Sequence, residues 1–341
     1  MLGYYGLIQP SINSTNENQS FFVNLTTYIH RMNFSDEIKQ QALAIGFDAC
    51  GICRAQDSEQ GTYYRQWLSA GYQAGMDYLE RNVDKRIDPR LLVPDAKSIV
   101  SVALNYFPAK FLPDDVPQFA YYAYGRDYHE VVKNKLALLF DFIRQHYPEV
   151  NGRFFCDSAP VLERYWAAQA GIGFIGKNTL LIIPGKGSYF FLGELILDLE
   201  LEYDTPISQN CGSCRRCLDA CPTKAIEQPY VLNACKCISY QTIENKGDID
   251  AAIQPLLSNN VYGCDICQKV CPWNRFAKPN RTPVFLPSEE FLSLDLAKLQ
   301  AMDEDSYRHI FRRSAVKRAK FSGLKRNVEA ISKTRNNSLL L

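Results

Sequence analysis

The stretch Cys211-Gly-Ser-Cys214-Arg-Arg-Cys217-Leu-Asp-Ala-Cys221-Pro222 limits what this chain can fold into more than any other. Its C-x2-C-x2-C-x3-C-P spacing closes three thiolates on one iron–sulfur cluster and carries the fourth across to a second. A second run, Cys264-Asp-Ile-Cys267-Gln-Lys-Val-Cys271-Pro272, repeats the pattern with Val261 in place of its first cysteine. Two clusters need eight thiolates and the runs supply seven, so the eighth is Cys235 or Cys237, which lie between them. Crossed ligation then puts Cys211, Cys214, Cys217 and Cys271 on one cluster. Cys221, Cys264, Cys267 and one of the intervening pair go to the other. Paired C-x2-C segments also build four-cysteine zinc sites, but the three-cysteine rhythm and both C-P endings favour iron–sulfur.

The start of the chain has no basic segment followed by an apolar one, which predicts a reducing, cytoplasmic setting rather than disulfides. At 341 residues, 46% hydrophobic and 22% charged, the composition is that of a globular protein with room for more than one core. No apolar run approaches the ~20 residues a membrane helix needs. The nearest, from Thr179 to Leu201, is broken by Pro184, Gly185, Lys186, Gly187 and Glu194. The net charge of +1 selects no partner, but its distribution does. Between Arg308 and Arg335 stand ten basic residues and a single acid, Glu329. That excess exceeds ordinary solvation and points to a polyanion, with Arg312, Arg313, Lys317 and Arg318 as candidate phosphate contacts.

Along the chain, residues 1–33 are rich in Asn, Ser, Thr and Gln without a period and read as a loose extension. Ser35 predicts the N-cap of a helix that stops at Gly46. Phe47–Cys53 alternates like a strand, with Cys50 and Cys53 as small strand residues. Gly75–Arg81 predicts a short helix, Ser98–Tyr106 a buried central strand, and Glu130–His146 a helix preceded by His129, read as a capping or solvent-facing side chain. Arg153–Asp157 is a strand with a carboxylate at its tip, ahead of a helix over Val161–Ala170. That position suits either a helix N-cap or an acid whose pKa is raised by apolar surroundings. Gly171-Ile-Gly173-Phe-Ile-Gly176-Lys177-Asn178 matches G-x-G-x-x-G literally but follows a helix rather than a strand. Asn178 stands where a P-loop needs Ser or Thr, so neither nucleotide motif is predicted. Strands are expected over 189–201, a two-cluster domain over 206–285, and a basic, mostly helical segment over 286–341, with Arg312–Ile331 as one helix.

Several stretches resemble the epoxyqueuosine reductase family: Gly-Arg-Asp-Tyr-His (125–129), Asp-Ser-Ala-Pro (157–160), Leu-Glu-Arg (162–164), Gly-Lys-Asn-Thr-Leu (176–180) and Phe-Leu-Gly-Glu-Leu (191–195). Cys-Ile-Ser-Tyr (237–240), Tyr-Gly-Cys-Asp-Ile-Cys-Gln (262–268) and the two cysteine runs complete the likeness, in one order over roughly residues 35 to 330. The resemblance implies an α/β (α+β) cobalamin-binding catalytic domain over 34–205, joined to a ferredoxin-like domain with two 4Fe-4S clusters. It implies an enzyme that deoxygenates epoxyqueuosine on a tRNA anticodon, fed by an unidentified electron donor and expected as a monomer. It selects Cys237 over Cys235. It also implies Asp157 as general acid, and Arg81, Asp157, Lys177, Thr179, Leu192, Ile238, Ser239 and Asp265 around cobalamin. Some members carry a C-terminal helical-repeat extension that is not seen in this sequence.

Overall fold

Seven of the eight residues from Ser98 to Asn105 are buried, which requires cover on both faces. In the computed structural model, which describes residues 33–338, this strand lies inside a four-stranded antiparallel sheet. The strands are β1 (Ala49–Arg54), β2 (Ser98–Asn105), β3 (Gly152–Phe155) and β4 (Phe190–Leu197), in spatial order β1-β2-β4-β3. Alternation divides the side chains between two cores. Val100, Val102, Leu104, Phe191, Leu195 and Leu197 pack against helices α1 (Phe34–Ile45) and α2 (Tyr128–His146). Ile99, Ala103, Leu192 and Ile196 pack against Trp166 on α3 (Glu163–Gln169). Helix α2 sits so close to β4 that a Cβ at Gly193 would lie 2.7 Å from Val132.

Helix α1 ends at Gly46 as expected, in the left-handed conformation at φ +99°. Its N-cap is Asn33 rather than Ser35: Asn33 accepts the Asp36 N–H at 2.8 Å, while the Ser35 hydroxyl accepts the Glu202 N–H from a distant segment. The rest of the predicted loose extension, residues 1–32, lies outside the described residues. The helix expected over Gly75–Arg81 is only a 3-10 turn at Asp77–Leu79.

A third core is built by the second half of the chain. Phe119, Tyr262, Phe291, Phe311, Val316 and Ile331 are among its members. Asn260–Tyr262 pairs in parallel with Gln118–Phe119, so a segment from the first half of the chain is stitched into this core. Asn327, fully buried, donates to the Thr242 and Val261 carbonyls at 2.8 and 2.9 Å. Residues beyond 285 therefore share a core with residues 112–124 and 238–262. The single helix expected over Arg312–Ile331 is instead divided. A helix ends at Ile310, a 3-10 turn spans Ala315–Ala319, and a second helix runs over Lys320–Ser338. Ser314 caps the middle piece through the Val316 N–H, and Arg313 and Lys320 both take positive φ, which a continuous helix forbids.

Candidate active site

The two short helices within the cysteine runs, Arg216–Ala220 and Ile266–Lys269, pack on one another and bring both runs together. One cavity is lined by Cys211, Cys214, Cys217 and Cys271, and a second by Cys221, Cys237, Cys264 and Cys267. Cys235 faces solvent, its thiol 3.4 Å from the Gly71 carbonyl. Val261, where a fourth cysteine of the second run is absent, is fully buried core. Among the described residues no three Cys, His, Asp or Glu side chains converge as ligands of one metal ion. The thiols ring open space instead. Burial pushes Cys264 up to about 12 and Cys267 also well upward. Cys50 and Cys53 are likewise raised to about 12 by burial, and Cys53 reaches the Trp166 carbonyl at 3.7 Å, as inert strand residues do.

Asp157 follows the last residues of β3 in the left-handed region, at φ +50°, which Asp tolerates better than most residues. It does not cap α3, whose preceding residue Leu162 makes no side-chain cap. Nor do Phe154 and Phe155 enclose its carboxyl group: Phe155 turns into the core, and the Asp157 side chain is 61% exposed. Tyr128 donates its hydroxyl proton to Asp157 Oδ2. His129 Nε2 stands 3.7 Å from the same oxygen, and its Nδ1 lies 2.6 Å from Asp127 Oδ1. Asp127 caps α2 by accepting the His129 N–H. The reading of His129 as a capping or solvent-facing residue therefore missed its neighbour, because the pairing joins two elements 28 residues apart.

Behind this loop lies a feature the sequence reading passed over. Glu163 accepts the Asp157 backbone N–H, and Glu194 projects from β4 towards it, fully buried, with both oxygens lacking a hydrogen-bond partner among the described residues. Burial, then the Asp157 charge, pushes Glu163 up to about 8; burial and Glu163 push Glu194 well above the carboxylate range. Burial therefore favours the neutral form of these carboxyl groups. The available signal was Glu194 itself, a carboxylate interrupting an apolar strand.

The basic segment reaches this site. The Arg313 carbonyl accepts the Asp127 N–H at 2.6 Å, and the Lys317 charge acts on Asp127. Arg318 pairs with Glu244 through two bonds of 2.7 Å and lies over the Tyr78 ring. Tyr78 is raised to about 12 by burial, Glu244 and Asp157, against Arg318. Arg312, Arg313, Lys317 and Arg318 are all exposed. Buried Asp265 accepts the Tyr121 N–H, and both it and Asp157 act on the buried Tyr122 hydroxyl. Leu192 and Ile238 are apolar and buried, Thr179 and Ser239 half-buried, and Arg81 exposed. Lys177 lines the Cys211 cavity and donates to the Gly212 and Cys214 carbonyls at 2.6 and 2.9 Å. The glycine-rich loop runs into a small hairpin, Phe174–Ile175 with Leu181–Ile182, and starts no helix, so neither nucleotide motif is present.

Residues 210–274 match the family model described as "4Fe-4S double cluster binding domain", and residues 86–158 the one described as "Epoxyqueuosine reductase QueG". The epoxyqueuosine reductase of Cellulophaga algicola is 48% identical over 296 residues, 86% of this chain and 97% of its own. The chain belongs to the epoxyqueuosine reductase family. Two solved epoxyqueuosine reductases, each 33% identical, share its fold. The Bacillus subtilis structure, described with an aspartate catalytic loop swung out of the active site, has a TM-score of 0.83. One with an epoxyqueuosine-modified tRNA-Tyr stem loop has a TM-score of 0.80. Each likeness covers 90% of this chain and 83% of the other. An epoxyqueuosine reductase with a double-cluster domain is an iron–sulfur oxidoreductase, and the mixed helix and sheet architecture agrees with the expected fold class. Among the described residues no helix is long and apolar enough to cross a membrane.

Proposed function

We propose that this chain reduces epoxyqueuosine to queuosine at the wobble position of tRNA, the last step of queuosine biosynthesis. In balance, the epoxide takes up two electrons and two protons, both C–O bonds break, a C=C bond forms and the oxygen leaves as water. One observation carries the reading: the exposed Asp157 carboxylate, backed by His129 and Asp127, opens beside the basic residues Arg313, Lys317 and Arg318. An acid beside a cationic rim suits a reacting group borne on a polyphosphate chain.

Cys211, Cys214, Cys217 and Cys271 would hold an outer 4Fe-4S cluster, and Cys221, Cys237, Cys264 and Cys267 an inner one. Cobalamin, when bound, supplies low-valent cobalt able to deliver electrons to an epoxide. Arg81, Thr179, Ser239, Asp265 and Asp157 would offer it polar partners and Leu192 and Ile238 apolar ones, Lys177 standing at its edge. Lys177 would serve this site through the loop that its ammonium pins at Gly212 and Cys214. Asp157 is placed to deliver a proton to the departing oxygen, with Tyr128 orienting its Oδ2 and His129 next to it. The aspartate catalytic loop named for the Bacillus subtilis relative supports this role. A small electron carrier would feed the outer cluster, and we read the protein as a cytoplasmic monomer.

The test is anaerobic turnover of an epoxyqueuosine-bearing anticodon stem loop by cluster- and cobalamin-loaded protein, read as loss of one oxygen by mass spectrometry. Neutralising Arg312, Arg313, Lys317 and Arg318 should weaken stem-loop binding and flatten its salt slope by about one unit per lost contact, while the free nucleoside remains a substrate. An unaltered slope would return these side chains to the status of a solvated surface.

A further inference from the structure

The geometry points to the docking site of the electron donor: an open cleft of about 1060 Å³ on the outer-cluster side, shaped for a small acidic one-electron carrier. This inference deepens the proposed function and rests on its cluster assignment. Arg216, Cys271 and Pro272 wall both the cleft and the outer cysteine cavity, so a partner seated here lies one residue layer from that cluster. The residues assigned to the substrate side, Asp157, Thr179, Ser239 and Asp265, do not line it. The inner cavity instead includes Ile238, next to Ser239. Electrons entering at the cleft therefore meet the outer cluster first and the inner one next.

The cleft's chemistry selects the partner. Its floor carries Phe107, Tyr121 and Tyr189 in mutual ring contact, from 4.8 to 5.9 Å between centroids. Its edge carries Arg216, Lys269 and Arg275, all exposed and none in an ion pair among the described residues. The one acid in the lining, Asp219, is already faced by Arg215 at 3.8 Å. Against a whole-chain charge of +1, this is a local positive field over an aromatic base. Aromatic surface with a charged rim is the composition of protein interfaces. Redox encounters use small interfaces in which opposite charge sets the on-rate. Each encounter passes one electron from the reduced carrier to the oxidised outer cluster, and two encounters supply one deoxygenation.

The probe is a reduced acidic 2Fe-2S ferredoxin mixed anaerobically with the loaded protein. Its binding, and its rate of cluster bleaching, should fall by about tenfold or more in the double variant Lys269→Glu/Arg275→Glu and lose their dependence on salt. Photoreduced deazaflavin, a small reductant that needs no docking, should bleach the clusters of wild type and variant equally. It should also drive turnover of the stem loop in both, which tests the proposed function separately. Unchanged ferredoxin affinity in the variant overturns the inference. So does a loss of stem-loop affinity instead, which would make the cleft a nucleic-acid groove.

A second observation stands by itself. Asn178, 4% exposed, lines the outer cysteine cavity; its Oδ1 accepts the Leu180 N–H, and its Nδ2 is buried without a partner among the described residues. We infer that Nδ2 donates a hydrogen bond to a sulfur of the outer cluster. Such a bond stabilises the more negative, reduced cluster and raises its potential. Asn178→Leu should lower the equilibrium constant for reducing that cluster about tenfold, a shift of about 59 mV to more negative potential in an EPR-monitored titration. In wild type, pulsed EPR of the reduced cluster should detect an amide nitrogen coupling that ¹⁵N-asparagine labelling alters. An unchanged potential, or no such coupling, overturns it.

Discussion

Replacing Asp157 by Asn separates proton delivery from every other role this residue has. The backbone tolerates the change, because Asn occupies the left-handed region as readily as Asp, and φ here is +50°. The N–H bond to Glu163 is untouched, and an Asn carbonyl oxygen can accept the Tyr128 hydroxyl. With 61% of the side chain in solvent, the folding cost should stay within about 0.5 kcal/mol. What disappears is the acid, worth ~10²–10⁴-fold in rate, or ~2.7–5.5 kcal/mol of barrier. His129 at 3.7 Å is too far to take over by a direct hydrogen bond, so the loss should exceed about a hundredfold. The assay is single turnover of an epoxyqueuosine stem loop with excess reductant, after the iron and corrin contents of the variant have been shown to equal wild type. Full turnover in Asp157→Asn would refute the role. Loss of corrin with the clusters intact would make Asp157 a binding residue.

Cys237→Ala should lose about half of the eight irons or fail to fold, whereas Cys235→Ala should keep them, as iron analysis will show. The Glu163 carboxyl, raised to about 8 in the folded protein, binds a proton that the unfolded chain releases near 4.5. Its contribution to stability is thus complete at acidic pH and is lost as pH rises through about 8. Glu163→Gln should shrink the drop in urea midpoint between about pH 5 and about pH 9, and an undiminished drop would refute the raised Glu163 carboxyl.

The clusters were legible because their ligands are local: a spacing of two and three residues is a distance whatever the rest of the fold does. The central strand Ser98–Asn105 and the stop at Gly46 were legible for the same reason, one from an apolar run and one from a residue that needs no Cβ. The N-cap at Asn33 was misread, since Ser35 satisfied the local rule but its hydroxyl was claimed by Glu202, 167 residues away. The helix breaks at Ser314 and Lys320 were hidden inside a continuous basic and apolar pattern.

The amino-acid order by itself carried the iron–sulfur chemistry, its seven candidate cysteines and the excess of positive charge near the C-terminus. Spacing left Cys235 and Cys237 open and the resemblance chose Cys237; in the fold, two residues apart along a turn, Cys235 is exposed and Cys237 lines a cavity. Only the tertiary structure decided that Asp157 has His129 as its neighbour and the basic segment as its rim. It also buried Glu194 behind the Asp157 loop, where Glu163 pushes its carboxyl further upward. These are contacts between segments far apart in sequence. Their energies depend on burial and on charges a few ångströms away, quantities that no window along the chain contains.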